Sequence, residues 1–278
     1  MKKQLIKLVQ SNASLSEVYL RYLKMKNAPD RKANVALLYT GRCGATLIGH
    51  LLAQHPDINW GGELLNHAST RYKHFAWQEK QPIKIIEQKM YQKPLSVYGF
   101  ESKALQGGHL RPNWVNMSTQ AYMNSLIDVG FTQFVVIKRE NYIKRAVSSL
   151  IAKKRKKWTA NLDETVKLET VYLDLNRFRY GDDFLPLLDH FDQLDSHYEM
   201  LYTLLKDKRV LSLNYESDIE SNPLLAYTKV CEFIGIKSSF VSLKCQKIDP
   251  YKLCDVISNF DEVARAVKNT KWAWMINA

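Results

Sequence analysis

No apolar stretch approaches the roughly 18 residues that a membrane-spanning helix needs, so no helical anchor is expected. Lys2 and Lys3 carry the charge of a signal-peptide start, but the apolar run after them covers only residues 5–9, is interrupted by Lys7 and then turns polar. The expectation is a soluble, cytoplasmic protein. Cysteine is scarce: Cys43, Cys231, Cys245 and Cys254 form no C-x-x-C pair and no cysteine–histidine cluster at zinc spacing. Reduced thiols and no metal follow from that pattern. Internal repeats and low-complexity linkers are missing too. Acidic residues are outnumbered, 28 against 40 Lys and Arg, and the formal net charge of +12 suits a polyanionic partner: nucleotide, nucleic acid or an acidic membrane surface.

What is present is ordinary for a globular protein. The 278 residues are 46% hydrophobic and 24% charged, enough for one α/β domain with a sizeable core, with residues 1–33 as a helical N-terminal extension. Two short amphipathic helices are expected over residues 4–25, with a break near 11–14 and Ser14 as an N-cap. Further helices are expected over 83–92, from Glu140 or Asn141, over most of 162–205 with a break at Gly181-Asp182-Asp183, over 224–234 before Gly235, and up to Val267. Strands are expected at 95–100, 132–138 and 208–214.

Residues 35–55 organise the chain. An apolar run leads into Gly41-Arg42-Cys43-Gly44 and then into apolar residues at helical spacing, which reads as strand, tight loop and helix. Such a junction aims backbone N–H groups and the positive end of a helix at one point, a cradle for phosphate or sulfate. Next in sequence, Gly61-Gly62-Glu63 leaves a carboxylate on a loop or a short helix start, where it either accepts a proton from a substrate hydroxyl or caps the helix. A second apolar strand ends in Arg139, and the helix after it carries Ser148; a guanidinium forks a phosphate and a hydroxyl adds a donor. Ser149 competes with Ser148, because one residue of slip turns a helix position by about 100°. Lys153 to Lys157 is the densest basic run and reads as a solvated helix end ahead of a nucleic-acid patch.

The segment Thr40-Gly41-Arg42-Cys43-Gly44-Ala45-Thr46-Leu47, followed by His55-Pro56 and Gly62-Glu63, resembles the opening of the carbohydrate and nodulation-factor branch of the sulfotransferases. That family's form is closer to T-x-R-S-G-S-T-x-L; Cys43 and Ala45 replace two serines, which leaves contacts through backbone N–H. The likeness runs from about Asn34 to Met275, with islands at 40–65, around Arg139 and Ser148, and at 214–236. It implies a P-loop-like three-layer α/β fold with a central, mainly parallel sheet flanked by helices. It also implies transfer of a sulfuryl group from 3′-phosphoadenosine 5′-phosphosulfate to a hydroxyl of a carbohydrate or other small molecule.

By this resemblance, Arg42, Cys43, Gly44, Ala45, Thr46 and Leu47 hold the 5′-phosphosulfate, and Arg139 and Ser148 hold the 3′-phosphate. Glu63 is the base, Arg42 neutralises the leaving phosphate, and Gly99-Phe100 with Lys103 and His109 partly match the family's G-F-K and later histidine, with the lysine displaced; there the lysine stabilises charge on the bridging oxygen, while a surface lysine and a hydrogen-bonding loop histidine are the alternative. Tyr215 lies near the nucleotide, and Lys244 and Lys247 belong to a basic closing loop. Two other readings stand beside this one. A P-loop kinase or NTPase shares the strand, loop and helix, but G-x-x-x-x-G-K-[ST] is absent and no apolar strand ends in an evident magnesium-binding aspartate. A nucleic-acid binder rests on the net charge and the lysine run alone.

Overall fold

In the computed structural model, described for residues 13–27, 31–66, 81–105, 108–110, 117–180 and 183–277, five parallel strands form the central sheet. They are β1 (Ala33–Tyr39), β2 (Ile58–Trp60), β3 (Val97–Ser102), β4 (Gln133–Lys138) and β8 (Arg209–Asn214), in the order β2-β3-β1-β4-β8. β1 sits at the centre, pairing Val35 with Gly99 of β3 on one side and with Gln133 of β4 on the other. Its near-continuous apolar sequence is what a strand covered on both faces requires.

Helices cover both faces and make a three-layer α/β fold. Val35, Leu37 and Tyr39 of β1 pack with α2 (Ala45–Leu52) and α7 (Pro223–Ile234). Ala36 and Leu38 face the other way, into α3 (Gln81–Met90), α4 (Thr119–Asp128) and α6 (Leu187–Leu205). Each leucine or isoleucine buried in these layers contributes about 1.5–3 kcal/mol. A third cluster joins α5 (Tyr142–Arg155) to the C-terminal α8 (Leu253–Val256) and α9 (Phe260–Val267). Among the described residues no helix is long and apolar enough to cross a membrane.

Several expectations are corrected. Helix α1 (Ala13–Asn27) begins at Ala13, so Ser14 lies inside the first turn; residues 4–12 lie outside the described residues. β2 was not expected, because three residues give no periodicity to read. Residues 162–180 and 183–186 are not helical: apart from the β6 (Phe178–Tyr180) and β7 (Asp183–Leu185) hairpin they run without regular structure. The cause is long-range pairing. The Val171 N–H donates to Val256 O at 2.8 Å, and the Leu173 N–H to Asn259 Oδ1 at 3.0 Å, which offers the backbone partners that a helix would otherwise supply. Of the expected break at Gly181-Asp182-Asp183, Gly181 and Asp182 lie outside the described residues and Asp183 opens β7.

The lysine run ends α5, as a dipole argument suggests, and is drawn into ion pairs. Lys154 lies 3.5 Å and Arg155 2.9 Å from Glu169, and Lys157 pairs with Glu164.

Candidate active site

β1 connects outward to β2 and β4 connects outward to β8, so the strand order reverses between β1 and β4. In open α/β sheets the crevice beyond the strand ends at such a point is where ligands sit. The loop after β1 and Arg139 after β4 meet there.

The loop has an unusual backbone for a defined reason. Gly41, Arg42 and Gly44 all take positive φ, at 95°, 56° and 79°. A Cβ at Gly44 would lie 2.8 Å from Ile219 and 3.2 Å from the Tyr215 ring, so glycine is needed for space as well as for φ. Three carbonyls of the loop are gripped from one side. Arg145 donates to Thr40 O at 2.7 Å and to Gly41 O at 3.1 Å, and Arg139 donates to Arg42 O at 3.0 Å. In a planar trans peptide the next N–H points the opposite way from the carbonyl. The N–H groups of Arg42, Cys43, Gly44 and Thr46 have no hydrogen-bond partner among the described residues. Open donors at a helix N-terminus, with two guanidiniums behind them, are the groups that anion binding calls for.

Cys43 adds nothing as a side-chain donor. It is fully buried; burial pushes its thiol up to about 11, although the N–H groups of Ala45 and Gly41 turn towards the sulfur and favour the thiolate. Ala45 is buried in the core, while Thr46 and Leu47 are half-buried. The helix carries no side-chain cap at Gly44.

Opposite the loop lies a carboxylate with its donors already arranged. Glu63 precedes a helical start at 64–66 and receives the Tyr39 hydroxyl on Oε1 and the Asn66 amide on Oε2. Lys103 Nζ lies 3.0 Å from Oε2, and His109 Nε2 lies 3.9 Å from the same oxygen. His109 is buried and its Nδ1 accepts the Lys103 N–H at 3.1 Å, which places the ring proton of a neutral imidazole on Nε2. Tyr39 stays a protonated donor, since burial and then the Glu63 charge raise its pKa well above normal. Lys103 also borders the loop: a Cβ on Gly41 would lie 3.7 Å from its Cε.

On the other side of the loop, Arg42 donates from Nε and Nη2 to the Ser148 hydroxyl, both at 3.1 Å, and from Nη1 to Trp158 O at 2.8 Å. Ser148 is buried and Ser149 is not, so the helix register selects Ser148 for this contact. Arg139 lies over the Tyr215 ring at 4.4 Å, and its buried Nε has no hydrogen-bond partner among the described residues; the Glu216 carboxylate Oε1 is 3.9 Å away. Glu216 is occupied by the Glu140 and Asn141 N–H groups at the start of α5. Lys247 pairs with Glu220 at 2.6 Å, and Lys244 is exposed with no ion pair among the described residues. The two lysines flank the short β9 (Cys245–Gln246), which pairs with β5 (Ala160–Asn161) just beyond Trp158.

Four contributors escaped the sequence reading. Arg145 is one: buried desolvation lowers its pKa, and the neutral His190 ring, held down to about 3 by burial and then by Arg145, meets its Nη1 at 3.1 Å. Tyr39, Glu101 and Trp158 are the others, and only the basic character of Arg145 on the same helix as Ser148 offered any signal. No protein-family model matches the chain, and no curated protein matches it.

Proposed function

We propose that this protein is a sulfotransferase that moves a sulfuryl group from 3′-phosphoadenosine 5′-phosphosulfate to a hydroxyl of a carbohydrate or other small molecule. The observation that carries the reading is the pairing of open loop N–H groups with the Glu63–Lys103 ion pair beside them. An anion cradle alone accepts any phosphate. A carboxylate next to it gives a bound sulfuryl group a partner that can deprotonate a hydroxyl.

The residues fit the donor. The N–H groups of Arg42, Cys43, Gly44 and Thr46 suit the 5′-phosphosulfate. The orphaned Nε of Arg139 and the hydroxyl of Ser148 suit the 3′-phosphate. In this reading a new bond forms between the acceptor oxygen and sulfur, the bond from sulfur to the 5′-phosphate oxygen breaks, and the acceptor proton goes to Glu63. Lys103 and Arg42 offset charge on the oxygen that leaves. Arginine, lysine and backbone donors supply that stabilisation, so the reading requires no metal. The ion pairs that Glu164 and Glu169 make with the lysine run favour a small-molecule partner over nucleic acid.

The test is transfer from a labelled donor to a panel of hydroxyl acceptors, comparing wild type with Glu63→Gln and Arg42→Ala. Both variants should lose at least about a hundredfold in transfer. Transfer at the wild-type rate by both would remove the mechanism.

A further inference from the structure

Glu101 is a buried carboxyl, 3% exposed, at the end of β3, and the reaction above does not use it. Its Oε1 accepts the Trp60 indole N–H at 2.9 Å. Its own N–H donates to Gly62 O at 3.0 Å, and the Gly61 N–H donates to Gly99 O at 2.7 Å. Trp60 immediately precedes Gly61-Gly62-Glu63, and Lys103 lies two residues beyond Glu101.

Two glycines make room for this pair. A Cβ on Gly99 would lie 2.3 Å from the Trp60 ring, so the indole rests on the β3 backbone. A Cβ on Gly49 of α2 would lie 1.9 Å from Glu101 Oε1 and 2.8 Å from Trp60 Nε1, so the helix that carries the anion loop sits directly on the hydrogen bond. Three parts of the site therefore meet at one carboxyl: the helix behind the anion loop, the segment that carries Glu63, and the strand end that carries Lys103.

We infer that Glu101 is a positioning residue whose buried carboxyl, bonded to Trp60 and roofed by Gly49, holds Glu63 and Lys103 at a fixed distance from the anion loop. The positioning itself stands on geometry, and only its effect on catalysis rests on the sulfotransferase reading. The titratable and hydrogen-bonding groups that face Glu101 are Trp60 from β2, Glu63 from the loop after it, Lys103 from beyond β3 and Tyr39 from β1, and α2 brings Gly49 against it. Burial pushes Glu101 up to about 8, against the pull of the Trp60 bond, so it stays protonated at neutral pH. Ionisation above that pH puts a second negative charge behind Glu63, with Lys103 as the shared cation.

The experiment compares wild type, Glu101→Gln and Glu101→Leu, with thermal melting to confirm that each is folded. Amide hydrogen exchange at Gly61 is read at pH 7 and pH 9, and transfer from labelled donor is read at both. Glutamine keeps an acceptor for Trp60 and cannot ionise, whereas leucine removes the acceptor. At pH 7 the Gly61 amide should exchange about tenfold faster in Glu101→Leu and within about twofold of wild type in Glu101→Gln. Transfer should fall about tenfold in the leucine variant and be retained in the glutamine variant.

From pH 7 to pH 9 the ratio of Glu101→Gln to wild-type transfer should rise on the order of tenfold. Equal Gly61 exchange in wild type and the leucine variant overturns the inference, as does an identical pH response of wild type and Glu101→Gln in both readouts. Should the leucine variant fail to fold, the comparison of wild type with Glu101→Gln decides. The predicted exchange pattern without transfer by any form would sink the sulfotransferase reading and leave the positioning role standing.

Discussion

Arg42 donates to the Ser148 hydroxyl from both Nε and Nη2 at 3.1 Å, across 106 residues of sequence. The loop after β1 and helix α5 are thereby tied together. Removing the hydroxyl with Ser148→Ala should weaken affinity for 3′,5′-adenosine bisphosphate about tenfold, the scale of one charge-assisted hydrogen bond. Ser149→Ala, one helix position round, should stay within about twofold. Calorimetric titration of both variants reads the difference.

Arg145 should matter to the fold as much as to the ligand. Its guanidinium bonds Thr40 O, Gly41 O and His190 in a site where burial already disfavours the charge. Arg145→Met leaves two loop carbonyls without their donor and should cost about 3 kcal/mol. Urea denaturation gives that number. The same variant should also lose affinity for the bisphosphate, because the N–H groups on the opposite side of those peptides lose their fixed direction.

The glycines of the two loops separate strain from crowding. Gly44 has φ 79° and a Cβ there would strike Ile219 and Tyr215; Gly62 has φ 65° with nothing within 4 Å. Gly44→Ala should therefore destabilise by about 2–3 kcal/mol and Gly62→Ala by about 1 kcal/mol. Equal costs in chemical denaturation would mean that the packing of Tyr215 against the loop yields easily.

Glu101 gives a stability signature with a defined sign. Its folded pKa of about 8 lies above the reference value of 4.5, so the native state keeps a proton that the unfolded chain has lost. That contribution is fully present below about pH 4.5 and is lost as pH rises to about 8. Glu101→Gln should melt with a flatter pH dependence and should gain on wild type by a few kcal/mol, roughly 3–5, between pH 5 and pH 8. Thermal melts at those two pH values decide it, and parallel curves for the two proteins would contradict it.

The parts of the site carried by local pattern were legible in the sequence. An apolar run, two glycines and a helical repeat give β1, the loop and α2, while a β-branched run ending in Arg139 gives β4 and α5. Glu63 stood out because two glycines precede it. What escaped depends on residues far away in the chain. Arg145 looks like any helix arginine until Thr40 and Gly41 arrive from over 100 positions earlier. Glu101 reads as the polar end of a strand, and only the missing Cβ atoms of Gly49 and Gly99 reveal that it is enclosed. Residues 162–180 carry helix-compatible composition, yet Val256 and Asn259 claim the backbone at Val171 and Leu173.

The central claim, a two-phosphate site joined to a base, is tested most directly by a structure of the protein with 3′,5′-adenosine bisphosphate. The account predicts the 5′-phosphate on the N–H groups of Arg42, Cys43, Gly44 and Thr46, the 3′-phosphate between Arg139 and Ser148, and Glu63 facing the 5′ side. A bisphosphate bound elsewhere, or lying across the site with Glu63 turned away from its 5′-phosphate, would contradict it.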